Sequence, residues 1–484
     1  MKFAAPRAAD AMPRVLLVAA ALVFAVGLLV RIASLGQPMR QDEADTVVLF
    51  ALTPLRHILV DTVIPNNHLL HSILVKGSLA VFGLSAEAAR VPAFVAGVAV
   101  LPLSFLVGRA WYGARAGVLA MAIAATSAPL VLFSTNARGY TLIACATLVA
   151  ALGVRAGVTQ NTRAGWMWWA LALAGGAAVN PSMLYPAGGL ALWAMLSMHR
   201  ADRVRWRAFV TWSVVAAVLT LAWYTPAIKV SGWQSIVSND YVKPLAWGPF
   251  LDACGVFAKD FGAWVAAGWL APWTVIAVAG LLAGWMTHRT SPNERVALSL
   301  VMLAFAVLLL LVMRRAPFLR VWLFLLPPLA VTVGTGIDRL LARVQRPDLV
   351  AALVAVLVAV GNAATLTQRD VVAQMPDTGL IPDAPHVATE LARQLAPGDG
   401  VAAMWRTQGP VDFYLRQRSV NASFVSDGGS APERLYVVAS TDLGETAGSV
   451  LASRRVTGAD STTATLVAAF PTATLWRVER RAAP

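Results

Sequence analysis

A chain of 484 residues in which 58% are hydrophobic and only 13% charged is far more apolar than a soluble globular protein, where roughly a quarter of residues are charged. The composition excludes a soluble or disordered protein and predicts a mainly α-helical, polytopic membrane protein. The formal charge of +14 lies before residue 368, with 28 Lys+Arg against 13 Asp+Glu, while the remainder carries 11 against 12. That excess gathers in alternate loops, as expected of a membrane protein, so nucleic acid is not a partner.

Residues 15–30 form an unbroken apolar stretch, continued by 32–36, long enough at helical rise to cross a hydrocarbon core of about 30 Å. It is too long for a signal-peptide core, and Gln37-Pro38-Met39-Arg40-Gln41 follows it in place of a small-residue cleavage site. It reads as a retained first span with Lys2, Arg7 and Arg14 on the cytoplasmic side. A long outer loop, residues 37–87, follows, and its apolar-periodic pieces at 46–59 and 69–82 are expected to be helices lying at the interface. Further apolar segments at 88–108, 116–134, 139–154, 166–180, 182–198, 208–228, 263–286, 296–313, 318–337 and 349–366 bring the expectation to about eleven spans.

Arg109, Arg115, Arg155, Arg163, Arg200, Arg203, Arg205, Arg207, Arg289, Arg295, Arg339, Arg343 and Arg346 fall in the loops that an outward first span makes cytoplasmic. The outer loop at 229–262, with Trp233, Lys243, Trp247 and Lys259, suits anchoring at lipid headgroups. An odd number of spans places residues 368–484 on the outer side with Asp42. The chain thus divides into a membrane domain, 1–367, and a small α/β domain. In the latter an amphipathic stretch at 386–395, strands near 401–405, 434–440 and 474–478, and a helix at 411–416 are expected, with a core of its own. Cys145 and Cys254 are the two cysteines, too few for a disulfide framework or a cysteine metal site.

The candidate site residues lie on the outer side. Asp42 and Glu43 are adjacent carboxylates just past the first span; the bland reading is a solvated loop start shared with Asp45, the functional one a general base with Glu43 beside it. Arg314, Arg315 and Arg320 break the charge rule by standing in a loop that alternation puts outside. Arginine forks onto phosphate oxygens, so these three and Arg138 suit a lipid-linked phosphate, with Tyr140 next to Arg138; ordinary headgroup binding is the alternative. Arg40, Asn67 and His68 are candidates for substrate positioning. His68 and His71 could share a metal with Glu43, but no spacing is diagnostic, so neither metal nor cofactor is assigned.

Taken in order, Arg40-Gln-Asp42-Glu43-Ala after the first span, Asn66-Asn-His68-Leu-Leu, Arg90-Val-Pro92, Asn136-Ala-Arg138-Gly-Tyr140, and Arg320 followed by Trp322 and Pro327-Pro328 resemble the GT-C membrane glycosyltransferases. The similarity is to bacterial relatives of protein O-mannosyltransferases and lipid A aminoarabinose transferases, and it is carried by residues 37–160. It implies inverting transfer of a sugar from a polyprenyl-phosphate carrier to an extracytoplasmic glycan, lipid or protein, at the outer face of a bacterial inner membrane, with Asp42 as base. Many relatives carry a glutamate where Asn136 stands and a tyrosine where Val321 follows Arg320.

A lipid or glycan transporter is the competing class, which predicts ionisable residues near span centres. A non-catalytic envelope assembly protein is a third. The candidate residues cluster at one membrane face instead, and no glycine-rich nucleotide motif offers a cytoplasmic donor site.

Overall fold

The computed structural model describes residues 12–198, 201–237, 243–288, 294 and 296–480; Lys2, Arg7, Arg200, Arg289 and Arg295 lie outside them. The first apolar run forms α1 (Arg14–Ala33), and the loop after it folds as α2 (Gln41–Asp45), a π-helical turn (Thr46–Ala51), α3 (Leu55–Val60) and α4 (Leu69–Phe82). The helical body continues through α5 (Ala86–Tyr112), α6 (Ala114–Ala125), α7 (Ala128–Ser134), α8 (Tyr140–Gln160), α9 (Arg163–Val179) and α10 (Leu184–Ser197). Next come α11 (Arg203–Ser231), α12 (Gln234–Val237), α13 (Trp247–Val265), α14 (Ala271–Met286) and α15 (Leu298–Met313). A 3-10 turn (Leu319–Leu325) leads directly into α16 (Leu326–Leu341), and α17 (Pro347–Gln368) closes the bundle.

The apolar segments read from the sequence fall on helices, but they do not make eleven full-length spans. Among the described residues six helices are long and apolar enough to cross a membrane, seven if α6 and α7, bent by 66° at their junction, count as one span. The 14-residue α4 and the 16-residue α14 and α15 are apolar yet shorter than the roughly 20 residues a crossing needs. Hydropathy reports where apolar residues are, not how long each helix runs.

The break between α6 and α7 has a visible cause. Pro129 at the start of α7 has no N–H to continue the ladder, which leaves carbonyls at the end of α6 without intrahelical donors. Arg31, fully buried in α1, supplies them: its Nη1 donates to Ala125 O at 2.9 Å, its Nη2 to Ala124 O at 3.4 Å, and its Nε to Ser134 Oγ at 3.1 Å.

After α17 the chain forms α18 (Val371–Gln374) and α19 (Ala384–Gln394), then β1 (Gly400–Ala403), α20 (Trp405–Gln417), β2 (Ser423–Phe424), β3 (Arg434–Ser440), α21 (Ala447–Ser453), β4 (Thr465–Ala469) and β5 (Ala473–Glu479). The sheet order is β2-β1-β3-β5-β4; β1 pairs in parallel with β2 and β3, while β3-β5-β4 is antiparallel. Strand alternation sends Leu435, Val437 and Ala439 against Val450 and Leu451 of α21, and Tyr436 and Val438 to the opposite face.

That opposite face does not close on itself. Beyond Leu391, Phe413 and Leu415 of the same domain, its core includes Met39, Ala44, Val47 and Ala51 from the first loop, Val75 and Leu79 of α4, and Ala86 and Ala89 of α5. A core of the domain's own is thus present on one sheet face only; the other is completed by the region after the first span. Asp42 N donates to Thr378 O at 3.1 Å and Gln41 N to Gly379 O at 2.8 Å, so the acidic loop and the post-span segment lie at the same end of the bundle. The 27-residue α5, about 40 Å long, separates that end from Arg115, which pairs with Asp338 and Asp348 at 2.5 and 3.0 Å.

Candidate active site

At the shared end, Asp42 and Arg320 meet. Asp42 Oδ2 lies 3.2 Å from Arg320 Nη2, and each side chain keeps 14% of its surface exposed, so the pair is shielded yet reachable. Arg320 projects from the first residues of the 3-10 turn before α16 and is held on three further sides. Its Nε donates to Tyr140 Oη at 3.2 Å, its Nη1 donates to Asp377 Oδ1 at 3.1 Å, and its guanidinium lies 4.1 Å from the Phe318 ring centre. Burial pushes the Asp377 carboxyl above the usual carboxylate range; Arg320 opposes that shift and Asp42 adds to it.

Directly behind Asp42 is a fully buried pair. Arg90 donates to both oxygens of Glu43, Nε to Oε1 at 2.8 Å and Nη2 to Oε2 at 2.9 Å. The remaining lone pairs of Glu43 take backbone N–H groups, Ala137 at 2.7 Å and Arg40 at 2.9 Å, the latter as part of a capping box that opens α2. Arg90 also binds the carbonyls of Leu35, Gln37 and Pro38 at 2.5, 2.8 and 3.2 Å. Thus Glu43 and Arg90 use their hydrogen-bonding capacity on protein, while Asp42 faces the accessible side.

Arg40 is also structural in its contacts. Its guanidinium binds the carbonyls of Val372, Ala373, Met375 and Asp377, which end α18 and begin the next loop. In that loop Thr378 has φ +67°, a left-handed conformation that is strained for a β-branched residue, and Asn136 Nδ2 holds its hydroxyl at 3.0 Å.

Arg138 lies 5.9 Å from the centre of the Tyr140 ring. Its Nη1 donates to Thr46 Oγ1 at 3.0 Å and Asn66 O at 2.6 Å, its Nη2 lies 3.1 Å from His68 Nε2, and its buried Nε has no hydrogen-bond partner. His68 Nδ1 faces the N–H of Gly139 at 3.1 Å; a neutral ring accepts at one nitrogen only, so it takes one of its two neighbours' hydrogens at a time. Burial, then Arg138, holds His68 well below its usual pKa, and burial pushes His71 down to about 3, so both rings are neutral and the positive charge here is arginine alone. A metal shared by His68, His71 and Glu43 does not fit, because Glu43 is fully engaged by Arg90 and backbone. Among the described residues no three His, Cys, Asp or Glu side chains gather as a metal site.

No protein-family model matches this chain, and no curated protein sequence does. Solved structures do. ArnT from Cupriavidus metallidurans in the apo state superposes with TM-score 0.63 at 13% identity over 94% of this chain and 97% of that one. The chain has the fold of the GT-C membrane glycosyltransferases.

Two more structures with this GT-C fold align at lower coverage of their own length. The mycobacterial arabinofuranosyltransferase AftD gives TM-score 0.54 at 16% identity over 98% of this chain and 40% of that one. The Archaeoglobus fulgidus oligosaccharyltransferase, in complex with Zn and sulfate, gives 0.52 at 11% identity over 83% and 61%. By the length and composition of its helices, this is a multi-pass membrane protein.

Of the residues singled out in the sequence, the GT-C bundle brings Asp42, Tyr140 and Arg320 into one group, with Arg138 and His68 adjoining it through Tyr140. Asn67 lies behind, its Nδ2 bonded to the carbonyls of Ile58 and Asp61 at 2.8 and 2.7 Å, where it closes the turn between α3 and α4. Arg314 instead stacks 5.7 Å from the Trp247 ring centre, and neither it nor Arg315 makes a hydrogen bond or ion pair to Asp42, Tyr140 or Asp377 among the described residues. Sequence reading gave Arg90 no role beyond its motif and missed Asp377 and Arg31. The last carried a legible signal, since an arginine inside an apolar span needs a buried partner; Asp377 stands 335 positions beyond Asp42 and carried none.

Glu43→Ala should strand Arg90 as an unpaired buried charge and cost about 3–5 kcal/mol. Thermal unfolding of the detergent-solubilised variant checks this, and an unchanged midpoint would show the pair to be dispensable. A second outcome concerns Asp45, packed where α2 meets Gly409 of α20 and bonded to Gln41 Nε2 at 3.1 Å. Burial first, and then Asp42, raise its carboxyl to about 7, so between roughly pH 4 and 7 the unfolded chain loses this proton while the folded one keeps it. Stability contributed by the protonated form is therefore lost as pH rises through that window. Asp45→Asn should flatten the fall in unfolding temperature between pH 5 and pH 8 relative to wild type; a variant with the same slope would exclude Asp45 as its source.

Proposed function

We propose that this protein is an inverting glycosyltransferase that moves a sugar from a polyprenyl-phosphate carrier to an extracytoplasmic acceptor, a cell-envelope glycan, lipid or protein. One observation carries the reading: a reachable carboxylate, Asp42, is set against a reachable arginine, Arg320, at one end of a GT-C bundle, while the neighbouring pair Glu43–Arg90 is sealed. The site end then faces out of a bacterial inner membrane, with the C-terminal domain beside it.

The chemistry follows from the residue types. Asp42 accepts the proton of the acceptor hydroxyl as its oxygen forms the new bond to the anomeric carbon. The bond from that carbon to the phosphate oxygen breaks on the opposite face, its electron pair passes to the phosphate, and configuration inverts. Arg320 and Arg138 hold that phosphate; a preorganised guanidinium matches the growing charge on the leaving oxygens, so the leaving group needs no proton. Tyr140 aims Arg320. Glu43, Arg40, Asn67 and His68 act through the backbone and side chains they hold, and Arg314 and Arg315 serve headgroups at the surface.

The orientation is checked by an alkaline phosphatase reporter fused after Arg369, expected to be active, since the enzyme matures only outside the cytoplasm; an inactive reporter at normal expression would reverse it. Asp42→Asn should lower turnover about a hundredfold or more while donor binding persists. Arg320→Ala should weaken donor binding and slow transfer together, with Arg320→Lys restoring part of both, because a point charge loses the bidentate fork. Wild-type turnover by purified Asp42→Asn protein would rule out the base assignment.

A further inference from the structure

Besides Asp42 Oδ2, which lies 3.2 Å from Arg320 Nη2, two buried acceptor atoms on or against the loop at 377–378 have no hydrogen-bond partner. Asp377 uses Oδ1 for Arg320, but its Oδ2 has no hydrogen-bond partner. Asn136, fully buried, uses Nδ2 for Thr378 of the same loop, and its Oδ1 is likewise unpartnered. Leaving buried acceptors unmatched is costly, so this edge of the site calls for a ligand that brings O–H or N–H groups. A cation does not suit the gap between the two aspartates, because the Arg320 guanidinium already occupies it, 3.2 Å from Asp42 and 3.1 Å from Asp377.

The loop cannot easily swing away to find other partners. Arg40 grips the carbonyls of Met375 and Asp377 at 2.5 and 2.7 Å, and the backbone N–H groups of Asp42 and Gln41 grip those of Thr378 and Gly379 at 3.1 and 2.8 Å. Asp377 is therefore a fixed feature of the site, not a passing contact.

We propose that Asp377 and Asn136 form the sugar-recognising edge of the site, with Asp377 Oδ2 and Asn136 Oδ1 accepting hydrogen bonds from ring hydroxyls of the donor's sugar while Asp377 Oδ1 aims Arg320 at its phosphate. This rests on the transfer reading above and adds to it the groups that read the sugar. Because the edge offers acceptors only, it selects a sugar with hydroxyl groups turned toward it and rejects one in which they are removed or methylated.

The test compares two ligand types on the purified full-length protein: synthetic polyprenyl-phosphate arabinose and polyprenyl-phosphate mannose, each against bare polyprenyl phosphate. Wild type should bind at least one sugar-bearing lipid more tightly than the bare lipid. Asp377→Asn, which keeps one oxygen for Arg320 but turns an N–H group toward the sugar, should lower the ratio of sugar-bearing to bare-lipid affinity by about tenfold, and so should Asn136→Ala. Variants that retain the wild-type preference, or that lose both lipids equally along with unfolding temperature, would overturn the assignment and leave the transfer reading standing. A wild type without preference for either sugar-bearing lipid would overturn it as well. A wild type that binds no lipid phosphate at all would refute the transfer reading, and this edge with it.

Discussion

The buried pair of Glu43 and Arg90 is the constraint on which the Asp42 end of this molecule depends. Four segments converge there: the turn at residues 35–38, the start of α2, the first turns of α5 and the junction at residues 136–138. Each gives up a backbone or side-chain group that would otherwise be buried without a partner. Such a pair contributes modestly over an apolar replacement of the same volume, but losing one member is severe, since the other is left charged with no water to solvate it. Its effect is to fix where the chain runs next, and what runs next is Asp42 on one side and Arg138 on the other.

A gradient of exposure follows from that arrangement. Arg31, Arg40 and Arg90 are deeply buried and bind mainly carbonyls, stitching a broken helix, the loop after α18 and the turn after α1. Arg320 is of the same residue type but sits at the accessible end, balanced between two carboxylates. An arginine whose partners are ionic and partly exposed can exchange them for a phosphate at low cost, whereas one that closes several carbonyls cannot. The difference between scaffold and site here is one of partners, not of residue type.

The C-terminal domain is tied into this end twice. One face of its sheet packs on Ala44, Val47 and Val75, and Tyr414 Oη accepts the N–H of Met39 at 2.8 Å. The loop that leads into it carries Asp377 to Arg320. Domain and bundle thereby form one surface around the candidate site.

The sequence by itself determined the membrane class, the mainly helical fold and three of the five strands described in the tail, and it pointed to Asp42, because these depend on apolar run length, strand alternation and charge placed next to a span. It also marked Arg138, Tyr140 and Arg320 through arginines on a face where lipid-exposed charge is costly. It did not determine which of two adjacent acids is sealed: Asp42 and Glu43 are indistinguishable until Arg90, 47 positions on, folds back against one of them. Nor did it set the number of full-length spans, which hangs on breaks such as the one that Arg31 caps. Asp377 joined the site only in three dimensions, since a contact across hundreds of residues is fixed by how helices pack and leaves no local periodicity to read.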